Sequence, residues 1–416
     1  MEDNFDDSIT FYDLGLCQEM IDAATKEMGW KVPTKIQAKT IQPILSGKDV
    51  CGMAQTGSGK TGAFALPIYH KLLENPAPMF ALILEPTREL VLQVADVFRK
   101  LGKSIGAKIC SITGGVEEKT QIKILERQPN IIVSTTGRLN QILREKPEMN
   151  LKGIKMLVFD EADQMLGPSF LSEVEKIMDR IGDNHQTLLF SATMPDEIEY
   201  LVKNKLNNPL NLELNTRNET ASTLTECVVV SPNKMKEVVL YTLLKELQGK
   251  SCIVFTGSCK SAHILAKMLN ILHIKTALYH GKLQQKQRQK AFADFKEGKY
   301  NVLVATNVAS RGLDVPQVDT VINFDLPEKD EEYIHRVGRA GRAARCGFSI
   351  TIITLNDLPR YAMLEKFLKK TLDKKDLDEE EIKSYSYDVE QARKAAANDY
   401  KEYTKEKTKK YKSKHQ

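Results

Sequence analysis

The chain has 416 residues, 42% hydrophobic and 28% charged, with a formal net charge of +5. That length suits two domains with a core each, and no apolar run approaches the roughly 18–20 residues of a membrane span. The seven cysteines are scattered without a C-x-x-C pair, which argues against a disulfide framework or zinc site and for reduced thiols in cytosol or nucleus.

The acidic start, with Glu2, Asp3, Asp6 and Asp7, looks like neither a signal nor a transit peptide, so the protein is not expected to be secreted. Lys401 to Gln416 holds seven lysines against two glutamates, so the tail carries the whole +5 and residues 1–400 sum to zero. Nucleic-acid binding by the body would need a local basic groove, to which the tail adds a non-specific contribution.

In chain order, residues 1–10 read as a disordered N-terminus. Phe11 to Gln42 reads as a Phe-containing loop, an amphipathic helix and a second helix, broken at Gly29-Trp30 and Val32-Pro33-Thr34, with Thr34 as a cap. The apolar run Val50–Met53 leads into Ala54-Gln55-Thr56-Gly57-Ser58-Gly59-Lys60-Thr61, a phosphate-loop pattern whose first glycine is relaxed to alanine. Gly57 and Gly59 let the backbone aim several N–H groups at one anion. Lys60 adds a point charge for the β- and γ-phosphates, and the Thr61 hydroxyl can hold Mg²⁺. A helix is expected from Gly59-Lys60, its N-terminus favouring the anion. Standing alone, the stretch also reads as an ordinary glycine-rich turn.

Apolar runs then recur at Ala81–Leu84, Lys108–Ile112, Ile131–Ser134, Met156–Phe159 and Thr187–Phe190, between helical stretches such as Arg88–Gly102 and Phe170–Ile181. Continuous apolar strands separated by helices indicate a parallel sheet covered on both faces. Polar segments follow the strand ends (QTGSGKT, EPTREL, TTGRL, DEAD, SAT), where open α/β sheets bind ligands. Asp160, after MLVF, is placed to hold Mg²⁺ with the phosphate loop, and Glu161 to polarise an attacking water; acidic helix caps are the alternative.

The apolar signal lapses at Asn215–Ser222. A second series follows at Glu226–Val230, Cys252–Phe255, Thr276–Tyr279, Val302–Ala305, Thr320–Asn323 and Ser349–Ile353. The expected layout is an α/β body at 11–214, a linker at 215–224, a second α/β domain at 225–370, and a charged helical extension with a lysine-rich tail at 371–416.

DEAD at 160–163, with AQTGSGKT, PTREL, SAT and HRVGRAGR, resembles the DEAD-box family of ATP-dependent RNA helicases (superfamily 2) over roughly Phe11 to Lys370. The resemblance implies two RecA-like domains, each a mostly parallel sheet flanked by helices. ATP and Mg²⁺ are the implied cofactors. The implied partner is RNA, single-stranded or in short duplexes, gripped by phosphates and ribose hydroxyls independently of sequence. A monomer is expected, with an unidentified protein activator and no membrane.

Residue by residue, Gln37 resembles the adenine reader, its amide matching the N6/N7 edge. Phe11 resembles the aromatic that packs on the base, with a core anchor as the equal alternative, and Trp30 falls near the same pocket. Ala54 to Thr61 would cradle the phosphates, with Thr61 and Asp160 on Mg²⁺. Pro86, Thr87, Arg88, Gly114, Gly115, Thr135, Gly137 and Arg138 would grip RNA, joined by Thr306, Arg311 and Gly312. Asp314 would reach the ribose. Ser191 and Thr193 would couple to Asp163, with His335 in the same role across the second domain. His280-Gly281 and Gln285-x-x-Arg288 resemble further RNA-side and domain-contact elements.

Arg339 and Arg342, three apart on one helical face, resemble arginine fingers that complete the catalytic set of Lys60, Asp160 and Glu161. The implied mechanism makes hydrolysis conditional on RNA. An ATP-gated RNA clamp and a DNA translocase are the competing readings.

Four departures stand out. Thr136 replaces a usual proline and Asn307 a usual aspartate. Glu85 puts a negative charge beside the RNA-facing PTREL loop, and Gly167-Pro168-Ser169 replaces a more common run. CIVFTGSCKSA, VASRGLDVPQVDTVIN and EYIHRVGRAGRAAR look similar to eukaryotic members that process ribosomal RNA precursors in the nucleolus. Translation and messenger-export members, which would place the protein in the cytoplasm, share much of this.

Overall fold

A computed structural model describes residues 5–6, 8–55, 57–165, 168–214, 224–232, 234–247, 249–307, 318–340 and 347–412, with side chains at 168–170, 285 and 405–412 left aside. The chain divides into two compact units, Met1–Arg217 and Asn218–Gln416.

In the first unit, β1 (Val50–Met53), β2 (Ala81–Glu85), β3 (Ile109–Ile112), β4 (Ile131–Thr135), β5 (Met156–Phe159), β6 (Gln186–Ser191) and β7 (Leu210–Glu213) form one sheet in the order β3-β4-β2-β5-β6-β1-β7. Every pairing is parallel, so each strand returns through a crossover that lays helices on the faces. Strand alternation divides the core. Ile83, Val133, Val158 and Leu188 face α3 (Lys60–Glu74) and α4 (Arg88–Leu101), where Phe64 and Phe98 pack. Leu82, Leu84, Leu157 and Leu189 face α6 (Thr136–Glu145) and α8 (Pro168–Met178), with Leu139, Ile142 and Ile177.

The second unit repeats the plan without repeating the sequence. β8 (Leu224–Val230), β9 (Cys252–Phe255), β10 (Thr276–Tyr279), β11 (Val302–Ala305), β12 (Thr320–Asn323), β13 (Gly347–Ile353) and β14 (Asp373–Lys374) run in the order β10-β11-β9-β12-β13-β8-β14. Raising each strand number of the first sheet by seven gives this order. All its pairings are parallel too.

The sheets are mostly where the apolar runs predict. β7 and β14 were not foreseen: β7 alternates half-buried and exposed residues and β14 is two exposed residues, so neither presents an apolar run. β8 begins at Leu224, inside the end of the expected linker, and 215–223 lie outside the described residues. The charged extension is the helix α15 (Glu379–Lys412), of 34 residues. Val389, Ala392 and Ala396 on one side of it join the core beside α10 (Lys236–Glu246) and α11 (Cys259–Ile271).

Candidate nucleotide and RNA sites

The phosphate loop leaves the carboxyl end of β1 and enters α3, as the spacing predicts. Gly59 is the N-cap of α3 and, like Gly57, has a positive φ, +93° and +84°. A Cβ at Gly59 would also lie 2.7 Å from the Thr34 hydroxyl and 2.9 Å from Gln37 Nε2, so conformation and close approach both demand glycine. Thr56 lies outside the described residues.

Gln37 is nearly buried in the first turn of α2 (Lys35–Leu45), in a reciprocal cap with Thr34. Its Oε1 accepts from Thr34 N at 3.0 Å and its Nε2 donates to Gly59 O at 3.1 Å. These contacts fix the amide's orientation and leave one acceptor and one donor position for a ligand edge. Trp30 lies against Gly62 beside this amide. The Phe11 ring is buried in the core cluster with Leu14 and Ile41, the packing that its core-anchor alternative describes.

The acids follow β5. Lys60 Nζ sits 3.3 Å from Glu161 Oε1 and donates to Ala54 O at 3.0 Å. Burial alone would lower the lysine's pKa, but attraction to Glu161, Asp160 and Asp163 outweighs it and raises the value. Asp160 Oδ1 accepts from Glu161 N at 2.9 Å. Burial pushes Asp160 up to about 7, with Lys60 opposing and Glu161 adding to the shift. Glu161 is held at φ +50°, an uncommon conformation for a side-chain-bearing residue. Gln164, which sequence reasoning missed, donates to Glu161 Oε2 at 3.2 Å.

Among the described residues no group of three or more His, Cys, Asp or Glu could hold a metal by itself. Mg²⁺ needs only one or two carboxylates beside water and phosphate oxygens. A buried Asp160, at the end of β5 and close enough to Lys60, the neighbour of Thr61, to feel its charge, fits that demand.

Ser191, Thr193 and Asp163 form one network. Thr193 Oγ1 donates to Asp163 Oδ2 at 2.7 Å, Asp163 N to Ser191 Oγ at 3.3 Å, and Ser191 Oγ to Thr193 O at 2.8 Å. Ser191 O in turn accepts from Ala54 N at 2.9 Å, so the network reaches the first residue of the phosphate loop.

On the proposed RNA side, Thr87 caps α4 by accepting from Leu90 N at 3.3 Å, next to Pro86. The exposed Arg88 guanidinium lies across Gly114 and Gly115, where Cβ atoms would fall 2.6 Å from its nitrogens. Arg138 instead braces this loop: it donates to Val116 O at 2.7 Å and pairs with Glu118 Oε2 at 3.3 Å. Thr135 ends β4, and Thr136 is the first residue of α6, where proline is favoured. Its hydroxyl donates to Glu173 Oε2 at 3.3 Å, with Gly137 close to the same carboxylate.

Glu85 corrects an expectation. It does not put a charge near RNA: it is fully buried, and burial, then repulsion by Asp160 and Glu161, raises its pKa well above the carboxylate range.

In the second unit, α13 (Asp330–Val337) ends at the cap Gly338, so Arg339 lies beyond that helix and not on its face. A Cβ at Gly338 would come 3.0 Å from Ile334 O, so the cap has little room for a side chain, and Ala340 bridges Val318 directly after. Arg339 and His335 are buried, as is Thr306. Arg336, also buried, donates to Asn307 Oδ1 and to Asp325 O. Arg288 donates to Tyr279 OH at 3.3 Å, and His280 is buried. Arg311, Gly312, Asp314, Arg342 and Gly167 lie outside the described residues.

Trp30 was placed only loosely by sequence, and Gly62, Gln164 and Glu173 were missed. The T-x-x-Q spacing of Thr34 and Gln37 is the one local signal that could have revealed the double use of Gln37.

Comparison with known proteins shows what the chain is similar to. The DEAD/DEAH box helicase family matches residues 34–201, and the helicase conserved C-terminal domain matches 235–344. The ATP-dependent RNA helicase DDX47 of Drosophila melanogaster is 42% identical over 394 residues, covering 95% of this chain and 78% of that one. The ATP-dependent rRNA helicase rrp3 of Schizosaccharomyces pombe is 40% identical over 393 residues, covering 94% and 84%. Among solved structures, Mss116p bound to single-stranded RNA and AMP-PNP superposes with a TM-score of 0.82 at 30% identity, covering 93% and 84%. Dbp5 of S. cerevisiae bound to RNA and ADP BeF3 gives 0.81 at 29% identity, covering 92% and 99%.

Proposed function

The chain belongs to the DEAD-box family of ATP-dependent RNA helicases, and we propose that the residues assembled at the ends of β1, β5 and β6 are its nucleotide site, used in remodelling ribosomal RNA precursors in the nucleus. It is an RNA-dependent ATPase; the pathway is inferred from the rRNA helicases it is similar to. One observation carries the site reading: a continuous set of bonds runs from Glu161 through Lys60, Ala54 and Ser191 to Asp163 and Thr193.

ATP is selected at the base by the open donor and acceptor of Gln37. The backbone of Gly57 to Lys60 takes the phosphates. Lys60, resting against Glu161, transfers its charge to the phosphates when they arrive and so releases that carboxylate. Glu161 then orients and deprotonates the attacking water. Thr61 and Asp160 would hold Mg²⁺, which would neutralise charge on the departing diphosphate. The Asp163–Thr193 bond ties the acidic segment to the strand beside the phosphate loop, so the same backbone senses nucleotide and positions Glu161. Arg88, Gly114 and Gly115 present donors for RNA phosphates, and Arg138 keeps that loop in place. Arg339 and Arg342 are proposed to complete hydrolysis only when RNA is bound.

Glu161→Gln tests the assignment: ATP and RNA should still bind while RNA-stimulated phosphate release disappears. Normal turnover would exclude Glu161 as the water-activating group. ATP-driven unwinding of a short duplex, lost with a non-hydrolysable analogue, separates a helicase from a clamp.

A further inference from the structure

Glu85 ends β2. It is fully buried, and neither carboxylate oxygen has a hydrogen-bond partner among the described residues. Its direction follows from strand alternation. Ile83 belongs to the core under α3 and Leu84 to the opposite face, so Glu85 returns to the α3 side. On β5, Val158 faces α3, Phe159 faces away and pairs in register with Leu84, and Asp160 follows one step on. Glu85 and Asp160 therefore lie side by side on the face where α3 begins. The charged groups that act on Glu85 are Asp160, Glu161 and Lys60. A third carboxyl thus stands in the dry layer where the phosphate-loop lysine meets the two acids.

A buried carboxyl without donors is costly, and more so when ionised. Water bound to a divalent cation is a donor of the right chemistry, because its protons point outward and carry part of the metal's charge. Carboxylates that accept from such groups make up the outer layer of many metal sites and raise their affinity.

We propose that Glu85 is a positioning residue of the Mg²⁺–nucleotide site, accepting hydrogen bonds from water on the Mg²⁺ that Thr61 and Asp160 would hold. The inference rests on the metal reading of Thr61 and Asp160 above. It accounts for a departure from the family pattern, since a second carboxyl behind Asp160 lets the site fill at lower free Mg²⁺.

The test uses the full chain with Glu85→Gln and Glu85→Ala, fluorescent ADP and a Mg²⁺ titration, alongside thermal unfolding with ADP in EDTA and in Mg²⁺. The Mg²⁺ concentration at half of the metal-dependent gain in ADP affinity should rise about 10- to 100-fold. ADP binding and unfolding temperature in EDTA should stay at or above those of the parent, since a buried acid has been removed. An unchanged Mg²⁺ midpoint in both variants overturns the proposal. So does a fall in unfolding temperature in EDTA for both, which would make Glu85 a purely structural residue. Loss of Mg²⁺ dependence in Asp160→Asn, with none in the Glu85 variants, would sink this inference and leave the site reading standing. A parent protein whose ADP binding ignores Mg²⁺ would sink the site reading itself.

Discussion

Gly62, one turn into α3, offers a sharp test of how the base pocket is built. A Cβ there would lie 2.5 Å from Gln37 Nε2 and 2.9 Å from Trp30 Cη2 and Cζ3, against a comfortable separation of about 3.5–4 Å. Alanine would favour the helix by about 1 kcal/mol, while overpacking costs about 1–3 kcal/mol. Fold stability should therefore change by no more than about 2 kcal/mol. Function should change more, because the atom struck is the amide pinned between Thr34 N and Gly59 O. Turning that amide away from the base forfeits hydrogen bonds worth about 1–3 kcal/mol, or roughly 5- to 150-fold in ATP affinity, and erodes the preference for ATP over GTP. The clashing indole atoms belong to the ring that phenylalanine lacks, so Trp30→Phe should relieve that contact alone; the 2.5 Å clash with Gln37 stays, and most of the loss should persist in the double variant. Fluorescent-nucleotide titration with ATP and GTP competition, beside thermal unfolding, reads all of this. Parental ATP affinity and discrimination in Gly62→Ala would refute the role assigned to Gln37.

Thr193→Val removes the 2.7 Å bond to Asp163, a hydrogen bond to a charged group worth about 1.5–3 kcal/mol. ATP binding should hold while RNA-stimulated turnover falls by about tenfold or more, and equal losses in both would argue against a coupling role. Cys51 and Cys110 are buried, with pKa values pushed from 9.0 up to about 12 by burial. Alkylation of the folded protein at pH 8.5 should spare both. Because the folded thiols keep protons that the unfolded chain sheds, their contribution to stability is intact below pH 9 and is lost as pH rises toward about 12, which chemical denaturation at stepped pH measures. Removing Lys401–Gln416 should weaken RNA binding mainly at low salt, since a lysine arm acts through counterion release; a salt-independent loss would mean specific contacts.

The fold was legible because parallel strands buried on both faces read as continuous apolar runs. Where that condition lapses, at half-exposed β7 and two-residue β14, the elements do not show. The phosphate loop was legible because its glycines and lysine are adjacent in sequence. Glu85 was misplaced for an instructive reason: beside PTREL it looks like a surface charge, and only the pairing of β2 with β5 reveals that its neighbour is Asp160. The arginines of HRVGRAGR were placed on one helix because their spacing permits it; Gly338 ends that helix first. Trp30 and Gly62 are far apart in sequence, so their contact had no local signature.

The departures from the family pattern separate once side chains are in place. Thr136 keeps the helix start that proline would give and adds a bond to Glu173 on α8, so the change is absorbed locally. Asn307 accepts from Arg336 and donates to Glu332. An aspartate could do the first but, when ionised, not the second, so the substitution exchanges a direct charge pairing for a relay between an arginine and a more distant carboxylate. Such a relay holds Arg336 by geometry more than by charge, and double-mutant cycles of Asn307 with Glu332 should show coupling that survives added salt. Glu85 is different in kind. It brings a third acid into the layer that already contains Asp160, Glu161 and Lys60, where no bond from the described residues absorbs it, and the proposed Mg²⁺-bound water is the group that would offset the free energy of keeping it there.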